Sequence, residues 1–187
     1  MRGRMRSLRR RLADAAPDAA QRAARRLPLS RFGRFSVVAG YCALGAEFDP
    51  GPILAAILGL DPTHTRSALP VATDRQSPLR FRLWRPGEKL VNDAFGIPAP
   101  PASAPDVIPN LIIAPLLAFD RRGGRLGQGA GHYDRTLVSL RAIRPVFVLG
   151  AAYAGQEVDL VPTGPHDQRL DAIITETAYI EVTPGSR

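Results

Sequence analysis

Apolar positions near the start of the chain recur at helical spacing: Leu8, Leu12, Ala15, Ala19, Ala23 and Leu27 lie three or four residues apart with arginines between them. Pro17 followed by Asp18 interrupts the pattern, so the opening is predicted as two short amphipathic helices. RFSVVAGYCAL, from Arg34 to Leu44, is β-branched and aromatic enough for a strand. DPGPILAAILGL follows, with Pro50 and Pro52 opening an apolar helix. SALPVAT and LRFRLWR read as strands, the second alternating apolar residues with arginine as a half-exposed strand does. Residues 86–109, rich in Pro, Gly and Ala, form a connecting region inside one domain, because strand patterning resumes at once.

Beyond that region VIPNLIIAPLLAF reads as a buried strand, HYDRTLVSLRAI as a helix, RPVFVLGAAY and RLDAIITET as strands, and AYIEV as a short last one. Strand, loop, helix and strand within about 40 residues make the βαβ unit of a parallel sheet. The predicted fold is therefore α/β: a single domain over residues 1–187, with a mostly parallel central sheet flanked by helices. Residues 1–34 form an N-terminal helical arm, and no internal repeat is present.

Composition sharpens this picture in two respects. The chain is 45% hydrophobic over 187 residues, yet no run approaches the roughly 18 consecutive apolar residues of a membrane span. A single cysteine, Cys42, cannot form an internal disulfide, and His64, His132 and His166 lack zinc-ligand spacing. A reducing, cytoplasmic setting and no membrane partner are expected. The net charge of +8 is confined to one end: 11 arginines against Asp14 and Asp18 give Met1 to Arg34 a local +9, leaving −1 for the remainder. A basic arm can bind nucleic acid. With 24 arginines and one lysine in the chain, a solvated basic helix is the preferred reading.

The candidate chemistry lies in LIIAPLLAFDRRGGRLGQGAGHYDRTL, residues 111–137. Glycines at 123, 124, 127, 129 and 131 let the backbone come close to a ligand, and the helix beginning just after them aims unpaired N–H groups and a positive dipole end into the loop. Such a site suits phosphate. Arg125 adds a cation able to grip phosphate oxygens in a bidentate manner. The stretch has neither the Gly-Lys-Ser/Thr ending of a Walker loop nor a dinucleotide fingerprint, since His132 stands where the last glycine would be. Asp134 at the helix start is unfavourable beside bare phosphates but useful where Mg²⁺ bridges them, which points to a nucleotide with its metal.

FDRRGGRLGQGAGHYDR resembles the signature of the 5-formyltetrahydrofolate cyclo-ligase family, Phe-Asp-x-x-Gly-x-Arg-Leu-Gly-x-Gly-x-Gly-Tyr-Tyr-Asp-Arg. LVPTGPHDQRLDAIITE, FGIPAP and GAEFDPGPIL are similar to further family segments in the same order, and MRSLRRRL to its Lys-x-x-Leu-Arg opening. The resemblance implies ATP-dependent cyclisation of 5-formyltetrahydrofolate to 5,10-methenyltetrahydrofolate. ATP and Mg²⁺ would be its cofactors, the folate its small-molecule partner, and the chain a monomer or weak homodimer. It implies nucleotide contacts from Arg9 and from the run Arg125, Leu126, Gly127, Gln128, Gly129, Ala130, Gly131, His132, Tyr133 and Asp134. Asp134 and Asp167 would help place magnesium. Phe95 and Tyr133 would offer aromatic faces to the pterin and Glu47 a carboxylate to its polar edge, with Arg125 and Tyr133 as the catalytic pair.

The chain departs from the family pattern at three of these positions. Met5 stands at the family's lysine position, so Arg4 or Arg6 is expected to make the phosphate contact there. His132 replaces a tyrosine, and Gln128 stands where many members carry tyrosine or arginine. Two alternatives follow: a relative that keeps the ATP loop but serves a non-folate molecule, and a non-catalytic nucleotide- or nucleic-acid-binding protein that uses the arm. Read without the resemblance, Glu47 caps its segment, Asp120 and Asp167 make turns, and Phe95, Tyr133 and Trp84 pack. Cys42 is then a buried small hydrophobe.

Overall fold

The order in which the strands pair sets where a ligand can bind. The structure, a computed structural model, describes residues 1–183. The chain begins with α1 (Arg2–Ala15) and α2 (Ala19–Ala24), separated at Pro17 as expected. There follow β1 (Val37–Ala39), α3 (Gly51–Leu58), β2 (Arg66–Val71) and β3 (Arg80–Leu83). The connecting region contains a small hairpin, β4 (Val91–Asn92) with β5 (Pro98–Ala99). Then come β6 (Leu111–Pro115), β7 (Ala118–Phe119), β8 (Arg125–Leu126), α4 (His132–Arg141), β9 (Phe147–Ala151), β10 (Ala172–Ile174) and β11 (Tyr179–Glu181).

Seven strands form the main sheet in the order β11-β10-β9-β6-β1-β2-β3. The five inner strands run parallel, and β3 and β11 close the edges antiparallel. Inner strands are covered on both faces and read as nearly continuous apolar runs. In β6, Leu111 and Ile113 pack toward α2 and α3, while Ile112 and Ala114 join Leu137 of α4 on the other face. The domain is thus three layers, with helices on each side of the sheet.

From β1 the chain steps one way to β2 and β3; from β6 it steps the other way to β9 and β10. The sheet therefore has a topological switch point between β1 and β6, and in open α/β sheets ligands bind beyond the carboxyl ends of the strands at such a point.

Two expectations need correction. VIPNLIIAPLLAF is not one strand. The run leaves the sheet after Pro115, and Ala118–Phe119 pairs instead with Arg125–Leu126, a hairpin whose closed end holds Gly123 and Gly124, with Gly127, Gly129 and Gly131 following its second strand. Buried Gln156 holds the crossing, donating from Nε2 to the carbonyls of Leu116 and Leu117. Nor is the arm solvated all round. Met5 is 1% exposed among Leu117, Leu126 and Val161, and Leu12 packs so close to Gly155 that a Cβ there would lie 2.8 Å from it. Hydrophobic burial of one face docks a helix whose other face is almost all arginine. No helix among the described residues is long and apolar enough to cross a membrane.

Candidate active site

A cleft of about 850 Å³ opens at the switch point, toward the upper end of the range for small-molecule sites. Its floor comes from the ends of the two diverging strands: Tyr41 and Cys42 follow β1, Pro115 ends β6 and Leu116 follows it. One wall is the stretch from Arg125 to Asp134, another is α1 through Arg2 and Arg9, and a third is the β4–β5 hairpin through Phe95 and Ile97. Arg9, Phe95 and the run from Arg125 to Asp134 all line this cleft, as do Glu47 and Asp167, which are distant from the glycine loop in sequence.

The loop enters α4 through Gly131, which has φ +70° and serves as the N-cap; Gly129 has φ +109°. Both lie in the left-handed region that favours glycine. Among the described residues no hydrogen bond is donated by the backbone N–H of Gln128, Gly129, Ala130 or Gly131. A run of free N–H groups at the start of a ten-residue helix is a site for an anion.

Two partly buried ion pairs stand around the cleft. Arg125 donates from one guanidinium nitrogen to Asp134 Oδ1 at 2.5 Å and from another to the carbonyl of Gln168. Asp134 Oδ1 also accepts from Gln168 N–H at 3.0 Å, so the catalytic-pair candidate Arg125 is held in place by a carboxylate from the next helix. Arg9, 7% exposed, meets Glu47 Oε1 at 3.4 Å. That is a long contact, and Arg9 Nε has no partner among the described residues. A buried guanidinium is costly to leave under-bonded, and Arg9 borders the cleft with donor capacity to spare. Glu47 Oε2 accepts from Leu44 N–H, so Glu47 both closes its turn, as its local sequence suggests, and faces the cleft.

Phe95 sits at the tip of the hairpin, 41% exposed, its ring edge-on to His132 with centroids 6.0 Å apart. Asp93 sets that tip: its Oδ1 accepts from the N–H groups of Phe95 and Ile97, and its Oδ2 from Ala72. His132 Nδ1 also lies 3.3 Å from the Ser77 carbonyl. Tyr133 is partly buried; burial pushes its phenol well above the ordinary value, and nearby Glu47 adds to this while Arg125 opposes it. Tyr41, whose hydroxyl donates to the Phe48 carbonyl, is raised by burial and then by Glu47. Both therefore stay neutral hydroxyls at ordinary pH.

A raised phenol contributes stability that is complete below its unfolded value of about 10 and is lost as pH climbs through the folded value. Thermal melts from pH 9 to 12 are expected to show the melting temperature falling above about pH 10, with a shallower fall for the Tyr41→Phe, Tyr133→Phe double variant. Parallel curves would remove these two groups from the alkaline response.

Several cleft residues carry no signal in the local sequence. Arg2, Tyr41, Cys42 and Arg75 all face it, and Cys42 is only partly buried, not the enclosed hydrophobe its apolar neighbours suggest. Tyr41 and Cys42 become identifiable once β1 and β6 are known to diverge. Of the two arginines expected to substitute at Met5, Arg6 reaches the loop, donating to Gln128 Oε1 at 3.0 Å; Arg4 is exposed and does not line the cleft. Asp167 Oδ2 accepts from Gly164 N–H, a turn contact at the cleft rim, and His166 is exposed. Asp120 is a turn residue, but a buried one.

Known proteins resemble this chain over most of its length. The model of the 5-formyltetrahydrofolate cyclo-ligase family matches residues 1–176. A 5-formyltetrahydrofolate cyclo-ligase of Mycolicibacterium smegmatis is 35% identical over 146 residues, covering 74% of this chain and 72% of that protein. The Escherichia coli K12 protein of the same name is 32% identical over 149 residues, covering 77% and 80%. Among solved structures, the 5,10-methenyltetrahydrofolate synthetase of Aquifex aeolicus superposes with a TM-score of 0.69 at 26% identity, covering 97% of this chain and 86% of that one.

Proposed function

The chain belongs to the 5-formyltetrahydrofolate cyclo-ligase family, and on that premise we propose that it converts 5-formyltetrahydrofolate to 5,10-methenyltetrahydrofolate with ATP, releasing ADP and phosphate. The observation that carries the reading is the single cleft in which an anion-accepting glycine loop faces the aromatic rings of Phe95 and Tyr133. A phosphate donor and a flat heteroaromatic substrate can meet there.

An amide-like formyl oxygen is a poor leaving group, which is why the reaction needs phosphorylation. The N5-formyl oxygen attacks the γ-phosphorus, the bond to the β-bridging oxygen breaks, and ADP leaves. N10 then adds to the activated carbon, loses its proton and expels phosphate to close the ring. Phosphoryl transfer asks a protein mainly for alignment and charge neutralisation. Gly127, Gly129 and Gly131 offer backbone donors, and Arg125, fixed by Asp134, offers a preset cation. Arg9 spans from Glu47 toward the nucleotide half with its spare donors. Tyr133, kept neutral by burial, acts as a face for the pterin and as an O–H donor, not as a base. Glu47 accepts from the polar edge of the ring. No side-chain nucleophile is required.

Magnesium fits as a companion of the nucleotide and not as a resident ion. Among the described residues no three His, Cys, Asp or Glu side chains gather into a metal cage. Asp134 and Asp167 supply two carboxylates at the cleft, and magnesium is commonly held by one or two carboxylates together with substrate phosphates. Bound so, it would neutralise charge on the β- and γ-phosphates. The nucleic-acid alternative draws less support, because Arg2, Arg6 and Arg9 turn to the cleft or its loop. A cytoplasmic setting is part of the same proposal.

Purified protein mixed with 5-formyltetrahydrofolate and Mg-ATP is expected to generate the near-ultraviolet absorbance of the methenyl product, one per ADP formed. ATP binding without that absorbance would sink the folate assignment and direct the search to substrates that pack against Phe95 and His132.

A further inference from the structure

Helix α1 presents Arg2, Met5, Arg6 and Arg9 at positions i, i+3, i+4 and i+7, one face of a helix. Met5 anchors that face in an apolar cluster and Arg9 reaches Glu47. The other two reach across to the glycine loop. Arg2 Nε donates to the carbonyl of Gly127 at 3.0 Å, while Arg6 donates from Nε to Gln128 Oε1 at 3.0 Å and from a terminal nitrogen to the Gln128 carbonyl at 3.5 Å. The guanidinium of Arg2 also lies against Gly129, 3.5 Å from where a Cβ would be.

These contacts fall on the two peptide units whose N–H groups belong to Gln128 and Gly129. In a planar trans peptide the carbonyl and the following N–H point in opposite directions. Holding the carbonyls of Gly127 and Gln128 therefore fixes the direction of both donors. Left free, glycines on either side of Gln128 would let those units rotate among many conformations, and an anion would have to order them on binding.

We propose that Arg2 and Arg6 are positioning residues: with the Gln128 side chain they form a strap by which α1 pre-orders residues 127–129 for the nucleotide phosphates. The strap rests on the nucleotide-binding reading above and adds to it that the Gln128 side chain serves the arm. Direct charge attraction is separable from strapping. A lysine at position 6 keeps the charge but cannot fork onto both the side chain and the carbonyl of Gln128.

The test is calorimetric titration of the full-length protein with Mg-ATP, alongside steady-state kinetics, for wild type, Arg2→Ala, Arg6→Ala, Arg6→Lys, Gln128→Ala and the Arg6→Ala, Gln128→Ala double variant. Arg11→Ala, exposed and on the outer face of α1, is the control. Each single alanine variant at 2, 6 or 128 is expected to weaken ATP about three- to ten-fold, with kcat and the KM for 5-formyltetrahydrofolate within about two-fold, and the double variant to be no worse than its worse parent. Arg6→Lys is expected to behave like Arg6→Ala, and melting temperatures to stay together because Arg2, Arg6 and Gln128 are solvent-accessible. Wild-type affinity in Arg6→Ala, full rescue by lysine, or effects at 6 and 128 that multiply would each overturn the strap. Wild type that binds ATP but forms no methenyl product overturns the folate reading and leaves the strap to be judged by the titrations. Wild type that does not bind ATP overturns both.

Discussion

Replacing Arg125 with alanine is expected to lower turnover by at least about 100-fold, the scale of losing one pre-positioned charge donor in a transition state. The side chain is almost completely enclosed and satisfies two acceptors at once, Asp134 Oδ1 and the Gln168 carbonyl. Its removal does two things. The cation beside the glycine loop is lost, and Asp134 is left as an unbalanced carboxylate where phosphate should enter, which repels the substrate.

Stability should fall less than activity. Breaking a fully buried pair costs about 3–5 kcal/mol, but the Asp134 side chain is 27% exposed, retains the N–H of Gln168 and can regain water. About 2 kcal/mol is expected. Arg125→Lys keeps the charge but cannot serve both acceptors, so it should recover stability only in part and activity by less. Product absorbance and a thermal melt, read on the same preparations, check both halves. Turnover of Arg125→Ala within about three-fold of wild type would remove the residue from the reaction machinery.

The elements that pattern could reveal are those whose apolar residues answer to one partner surface. β6 and β9 are enclosed on both faces and so are apolar throughout, and α3 announces itself through Pro52 and a compact apolar run. The failure at Leu116 to Phe119 has a physical cause: the run stays apolar because it is buried without pairing in the main sheet, Leu117 and Ala118 against Met5 and Val161, and Leu116 and Phe119 in the core beneath α4. Hydrophobicity reports that a segment is covered and is silent on what covers it. The arm shows the converse. Arg9 reads as surface by residue type, yet it is buried because Glu47 and the cleft receive its head group.

The site divides along the same line. Residues 123–134 were legible because the loop's chemistry is contiguous: glycines that free the backbone, a helix start and a carboxylate one turn in. Arg2, Tyr41, Cys42 and Arg75 were not, because each comes from a separate segment and only the divergence of β1 and β6 gathers them. Nothing in the local spacing indicated that Arg125 and Asp134 pair with each other before either meets a ligand. That pairing turns two independent candidates into one preset unit.

Asp120→Ala is expected to be the most destabilising of the loop substitutions, although the residue touches no ligand. Its carboxylate is 1% exposed and accepts three backbone N–H groups: Arg122 and Gly124 on Oδ1, Val161 on Oδ2, each at 2.9 Å. The first two close the turn that starts the glycine stretch, and the third ties it to the segment carrying Pro162 and Asp167 along the cleft. Alanine would leave all three donors without their acceptor, those of Gly124 and Val161 buried, and each buried donor left so costs about 1–3 kcal/mol. Partial relaxation and water entry bring the expected loss to about 3–4 kcal/mol. For a domain of this size that lowers the melting temperature by about 6–16 °C.

Asp120→Asn separates the contributions. It keeps an acceptor for Arg122 and Gly124 but sets its NH₂ against the N–H of Val161, so about half the loss should remain. The same carboxylate requires the neighbouring glycine, since a Cβ at Gly124 would stand 2.5 Å from Asp120 Oδ2. Melts of both variants within about 2 °C of wild type would show that the turn holds without the carboxylate. If the loss appears as expected, weaker ATP binding should accompany it at temperatures where the protein is still folded, because the loop that supplies the phosphate donors would have lost its fixed start.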